Sequence, residues 1–331
     1  MINRRTFTAA LTAGVALALG AGMAALTPAS AQQFPTKSLK LIVPYAAGGG
    51  TDAIARLVAQ AVSQQLGQQI VVENIGTAGG NLASQRAASS PPDGYTILMA
   101  NQGPMVVNPH LFKNLKLDPL AVFDPVVLVT SAPLVLVVPA KSKISSVAEF
   151  LDFARKNPGK LSYGSAGNGS ASHLATVLLG QMAKLQYVHV PYRGAGPALN
   201  DLVAGQTDFM VTTLPSVAGQ IEGGLVKALA VTTKERTAKL PNVPTLIEAG
   251  VAGYETGAWY GFVVPKGTPA PIIDKLRTAT VTAINTDLVK ARFANEGASP
   301  LGWSPEDFMK MMRAESARWA DVLKKENITL N

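Results

Sequence analysis

No cysteine occurs in the 331 residues. That absence excludes disulfides, cysteine–zinc centres and cysteine nucleophiles together. It leaves the compartment open, because an oxidising compartment permits disulfides without requiring them. Charge is sparse as well. Asp, Glu, Lys and Arg make up 15% of the chain against 47% apolar residues, which excludes a disordered chain or a coiled coil and allows sizeable cores. The net charge of +8 comes from scattered Lys and Arg, with no basic run longer than two and no basic patch interleaved with aromatics, so nucleic-acid binding is not indicated. A mild positive field suits an acidic ligand better.

The chemical motifs that are missing narrow the function further. There is no GxxxxGK[ST] phosphate loop and no G-x-S-x-G elbow. The three histidines, His110, His173 and His189, show no metal-ligand spacing. No nucleophile–base pair is visible, which makes an extracytoplasmic hydrolase a remote reading. No catalytic residue, metal or cofactor is expected. Past the N-terminus, no apolar run approaches the ~18 residues of a membrane helix.

Residues 1–31 read as an export signal. Asn3-Arg4-Arg5 is a charged start, residues 9–26 are rich in Ala, Leu, Gly and Val, and Ala29-Ser30-Ala31 is a small-residue cleavage site. Arg4-Arg5-Thr6-Phe7 resembles a twin-arginine signal, although Asn3 and Thr8-Ala9 depart from that pattern. Cleavage after about Ala31 leaves 27 basic and 21 acidic residues in a protein expected outside the cytoplasm, in the periplasm.

The rest of the chain is organised around two copies of one device: a strand, a glycine-rich loop, then a helix. The first spans residues 39–65 and the second residues 161–182. Thr51 or Asp52 caps the first helix and Ser170 or Ser172 the second. Each device leads to another strand and another Gly/Ala loop, residues 76–81 (GTAGGN) and 193–197 (RGAGP). Strands are predicted over residues 39–44, 69–73, 95–100, 126–130, 134–138, 160–163, 187–190, 208–212, 226–231 and 260–264. Helices are predicted over residues 52–66, 80–89, 147–156, 170–182, 195–203, 269–285 and 305–325. This alternation indicates an α/β protein whose largely parallel sheets are covered by helices on both faces.

Two stretches look like crossings between domains, Ser131-Ala132-Pro133 and residues 253–259 (GYETGAW). They divide the chain into one lobe of residues 32–132 plus 257–331 and a second of residues 133–256, joined by a hinge that permits closure.

In open α/β sheets ligands sit at the carboxyl ends of strands, beside helix N-termini whose free amides and dipole favour anions. Residues 46–52 and 165–172 hold no Lys or Arg, so backbone N–H groups and the hydroxyls of Thr51, Ser165 and Ser170 would carry a carboxylate. Glycines serving only as turn residues are the plainer alternative, but four such loops at matching positions favour binding. Asp52 suits a ligand donor or a helix cap equally. His173 suits ligand donation or packing. Arg193 suits a carboxylate clamp or an ion pair with Asp208 or Asp201. Trp259 and Tyr260 suit a cleft wall or a core. Valine at Gly48 or Gly167 is expected to block the carboxylate position.

Residues 42–52 (IVPYAAGGGTD), 72–81 (VENIGTAGGN), 93–100 (DGYTILMA), 163–173 (YGSAGNGSASH), 190–199 (VPYRGAGPAL), 229–245 (LAVTTKERTAKLPNVPT) and 258–271 (AWYGFVVPKGTPAP) run in one order through most of the chain. On these stretches the sequence resembles the Bug-type extracytoplasmic solute receptors, the binding components of tripartite tricarboxylate transporters. The resemblance implies a two-lobed periplasmic-binding-protein fold of type II kind that closes on a small carboxylate. It places Ala46, Ala47, Gly48, Thr51 and Asp52 on one side of the ligand. Ser165, Ala166, Gly167, Asn168, Gly169 and Ser170 lie on the other, and Asn101, Gln102, Arg193 and Asp208 near its variable end. It implies a non-enzymatic, monomeric receptor that delivers its ligand to membrane permease subunits. A receptor of the same fold signalling to a membrane sensor kinase is the alternative. The family often carries a cysteine pair, which this chain lacks.

Overall fold

The apolar run Leu39–Val43 forms strand β1 and stops at Pro44; after the loop, helix α1 (Gly50–Leu66) begins. Its inward face, Ile54, Ala55, Val58, Ala59 and Val62, recurs at helical spacing and is buried. Gly67 in a left-handed conformation ends it. The computed structural model describes residues 34–325 and 329, so the export signal read over residues 1–31 lies outside the described residues. The described residues from Lys37 onward form one compact unit.

After α1 the chain runs through β2 (Ile70–Asn74), α2 (Asn81–Ala88) and β3 (Thr96–Asn101). A one-turn helical segment, Gly103–Val107, follows β3 directly. Next come β4 (Phe123–Pro139), α3 (Val147–Lys156), β5 (Ser162–Ser165), α4 (Ala171–Ala183), β6 (Val188–Pro191) and α5 (Ala195–Ala204). Then β7 (Met210–Thr213) leads into α6 (Leu214–Glu222) and β8 (Val226–Val231). The chain finishes with β9 (Gly257–Pro265), α7 (Ala270–Ile284), α8 (Asp287–Asn295), β10 (Ser299–Trp303) and α9 (Pro305–Lys325).

The architecture is α/β, as the sequence predicts, but the pairing is mixed rather than largely parallel. β1 pairs parallel with β2 and β3, and β5 parallel with β6. β9 is antiparallel to both β3 and β4, and β10, β7 and β8 are antiparallel to β4. The reason lies in β4. The two strands predicted on either side of Ser131-Ala132-Pro133 are one 17-residue strand. Phe123–Pro133 pairs with β9, and from Leu134 onward the partners are β7 and β8. Proline has no N–H to give a ladder, and Pro133 stands where the ladder changes partners.

Two apolar clusters follow these pairings. One gathers Ile42, Leu98, Val263 and Trp259 under Phe308 and Trp319 of α9. The other gathers Val135, Leu199, Met210, Val217 and Val231 around the far half of β4. Helices α6 and α8 and strand β10 escape the sequence reading. Among the described residues no helix is long and apolar enough to cross a membrane.

Candidate functional site

Four helices point their N-termini at one cavity. Gly49, Gly50 and Thr51 come from the start of α1, and Ser170, Ala171 and Ser172 from the start of α4; Ala195 opens α5, and Thr213 and Ser216 open α6. The wall is completed by Tyr45, Ala46, Asn101, Gln102, Gly103, Ala166, Thr212, Ala258, Trp259 and Tyr260. The cavity offers about 40 Å³ to the centres of water molecules, room for a few of them. Among the described residues, no Lys, Arg, His, Asp or Glu lines it. Whatever charge it attracts must therefore be met by helix N–H groups and hydroxyls, and converging helix N-termini favour an anion.

The loops pack closely around this space. Ala46 N–H donates to the Arg193 carbonyl at 3.0 Å. Gly50 N–H, at the start of α1, donates to Ser216 Oγ at 2.7 Å, and Ser216 Oγ is 2.7 Å from Thr213 Oγ1. A side chain at Gly49 would press on Ala195, and one at Gly103 on the Gly169 carbonyl. Tyr260 bonds to Thr213 and Thr51, and its burial, the larger effect, pushes its phenol up to about 12. Tyr260 is therefore a neutral hydroxyl at physiological pH.

The first loop is held from outside the cavity. Asp52 accepts from Gly48 N–H at 3.0 Å, from Arg56 Nε at 3.0 Å and from Asn74 Nδ2 at 3.0 Å. Its burial opposes ionisation, but the bonds from Arg56, Gly48 and Asn74 outweigh it and hold the carboxyl below its ordinary range. The second loop is held by neutral groups. Ser170 Oγ accepts from His173 N–H and donates to the Gly167 carbonyl at 2.6 Å. Ser172 Oγ accepts from Ala166 N–H, and His173 Nδ1 from Gly169 N–H at 3.1 Å. The rings of His173 and His189 stack at 4.3 Å, and Ser165 Oγ lies 2.7 Å from His189 Nε2. Burial holds His173 down to about 3, helped by the charge of its neighbour His189, and holds His189 down to about 4.

The predicted residues divide accordingly. Ala46, Thr51, Asn101, Gln102, Ala166 and Ser170 line the cavity. Ala47 and Gly48 face solvent, and nothing lies within 4 Å of a Cβ placed on Gly48. Asp52 and Ser165 brace their loops from behind. Gly167, Asn168 and Gly169 form the second loop without lining the cavity; Gly167 packs against Tyr192, and Gly79 against Asn168. Arg193 contributes its carbonyl to the bond with Ala46; the residue is exposed and does not line the cavity. Asp208 accepts from Ser162 N–H and Oγ, also away from it. Trp259 and Tyr260 are wall residues. The sequence reading missed Tyr45, which directly precedes the first glycine loop, and Thr212, Thr213 and Ser216, which sit on a segment without one. A usable signal was Thr213-Leu214-Pro215, a hydroxyl residue of the kind that favours the N-cap position followed by an early helical proline.

A family model described as "Tripartite tricarboxylate transporter family receptor" matches residues 54–328. The chain is 38% identical over 320 residues to a UPF0065 protein encoded in the tcbD–tcbE intergenic region of Pseudomonas sp. (strain P51), covering 96% of this chain and 94% of the relative. It superimposes on periplasmic binding protein BugD with a TM-score of 0.86 and 35% identity, covering 89% of this chain and 99% of BugD. MatC from Rhodopseudomonas palustris with bound malate gives a TM-score of 0.84 and 35% identity over 88% of this chain and 100% of MatC. With the two-part architecture of those periplasmic binding proteins and a model match across most of its length, the chain belongs to the tripartite tricarboxylate transporter receptor family, the Bug-type solute receptors.

Proposed function

We propose that this protein is a periplasmic receptor that binds one small organic carboxylate and delivers it to the membrane subunits of a tripartite transporter. The observation that carries the reading is the meeting of four helix N-termini on a cavity without an ionised side chain. Such a site fits an anion small enough for backbone amides and hydroxyls to surround. The malate held by MatC supports the ligand class.

In this reading residues 32–132 and 257–331 form one lobe and residues 133–256 the other, with the ligand between them. The change of β4 partners at Pro133–Leu134 supports that division. Residues 1–31 direct export and are removed, and the receptor works as a monomer without turning its ligand over.

A thermal-shift screen tests the reading. The panel holds di- and tricarboxylates, amino acids and aromatic acids, with neutral amides and sugars as controls. A ligand at 100 times its Kd adds about 2.7 kcal/mol, so a shift of a few degrees confined to a few related acids is expected. Failure of every acid to shift protein first unfolded and refolded to strip it of bound ligand would sink the reading.

A further inference from the structure

Helix α9 buries Phe308, Met312, Trp319 and Leu323 on one face. Glu315 stands on the same stripe by helical spacing, a carboxyl at a position where the rest of the face is apolar. It accepts from Trp259 Nε1 at 2.8 Å and also bonds the Gln102 side chain. Both partners are cavity-wall residues. A carboxylate accepts and does not donate, so Glu315 engages the Trp259 indole N–H and an amide N–H of Gln102 from behind the wall. What Gln102 has left to offer the cavity includes its carbonyl oxygen. Beside it, Asn101 bonds Tyr45, yet its Oδ1 is buried without a hydrogen-bond partner. Asn101 is 6% exposed, so its unpaired acceptor has no bulk water to fall back on, and a buried unpaired acceptor is costly.

We infer that the ligand carries a hydrogen-bond donor, a hydroxyl, amide or ammonium, at the end that meets Asn101 and Gln102, in place of a second carboxylate, and that Glu315 is the positioning residue that sets this polarity. The inference rests on the receptor reading above and narrows it. The helix N-termini take the carboxylate. The unpaired acceptor then rewards a donor, and a second carboxylate there would meet it with no Lys or Arg among the described lining residues to balance the charge. Burial pushes the Glu315 carboxyl up, opposed by Trp259, Arg318 and Gln102.

Titration calorimetry on the whole protein, stripped as above, tests this with matched pairs: succinate and its monoamide, adipate and its monoamide, isophthalate and 3-carbamoylbenzoate. Among the pairs that bind, each monoamide is expected to bind about tenfold more tightly than its diacid, the effect of one buried acceptor gaining a partner. A diacid that binds as tightly as its monoamide, or more so, overturns the inference and leaves the receptor reading standing. If no member of any pair binds and the wider acid screen is also silent, the receptor reading itself fails. Glu315→Gln separates positioning from mere packing. It is expected to narrow the monoamide-to-diacid ratio to within about threefold, because the new amide no longer holds Gln102 in one orientation. Equal weakening of both members, with the ratio unchanged, would refute the role given to Glu315.

Discussion

The two strand–loop–helix devices look alike in sequence and are built on different physics. The loop before α1 is tied down by an ion pair at its outer edge, Asp52 with Arg56, and its leading amide, Gly50 N–H, is satisfied by Ser216, which lies 166 residues away. Its own N-cap is Gly49, which has no side chain to give. The loop before α4 carries its own cap in Ser170 and a buried network of serines and histidines without a formal charge. The first device is complete only when the segment around α6 is packed on it. The second draws its network from its own serines and His173 together with His189 of the following strand. The two loops are therefore seated differently, the first by a partner far along the chain and the second by neutral groups close to it.

The largest effect comes from spoiling the meeting of the two. Gly169 has φ +74°, and a Cβ there would run into Asn108 Oδ1. Asn108 is itself held by Gly79 and Asn81 of the first half. Gly169→Ala is expected to lower affinity by more than about 100-fold, since a residue that resists the left-handed region must also displace a buried amide. Calorimetry against any acid found by thermal shift reads the loss. An unchanged Kd would show that the packed arrangement of Gly169 and Asn108 plays no part in binding.

Acid should separate the two seats next. His173 and His189 are held at about 3 and about 4, against about 6.5 in the unfolded chain. Below about pH 6.5 the unfolded chain takes up protons that the native protein refuses. The neutral network's contribution is therefore full above that pH and is lost as pH falls toward 4 and then 3. At pH 5 the cost from His173 alone is roughly 2 kcal/mol, and protonation also ends its role as acceptor for Gly169 N–H. Denaturant unfolding of the wild type and His173→Asn between pH 7 and pH 5 checks this; the variant should lose less stability over that range.

Smallest is the effect of Gly48→Val. The φ of +84° makes a side chain costly by roughly 1–2 kcal/mol, but the position is exposed and lies away from the cavity wall. Stability should fall by about that amount while affinity stays within about threefold. A complete loss of binding would return Gly48 to the ligand, where the sequence reading placed it.

The devices themselves were legible because each couples an apolar run, a break and a helical period within thirty residues. Gly50–Leu66 and Ala171–Ala183 begin within two residues of their predicted starts. On the far wall Asn101, Gln102, Trp259 and Tyr260 were named from the sequence, but how they assemble was not legible, because long-range pairing brings them together. Asn101 and Tyr260 face each other across β3 and β9, and nothing local marks that register. The glycines misled in a specific way. Gly48 and Gly167 were read as making space for a ligand; a Cβ on Gly167 would meet the Tyr192 carbonyl, and Gly48 stands at φ +84° with open space around it. β4 hid behind Pro133, since a proline inside an apolar run reads as a break unless the partner switch is known.

That strand also fixes how the molecule comes apart. β4 is paired on its first half by β9 and β10 and on its second by β7 and β8, and Leu134 N–H at the junction is further fastened to Thr232. Neither half can melt without stripping a strand that the other half still needs. The chain therefore behaves as one cooperative unit, and the free energy of a ligand gripped by a few amides is spread through all of it. Occupancy of a space holding a handful of waters becomes protection against unfolding, and against proteolysis, for helices far from the ligand.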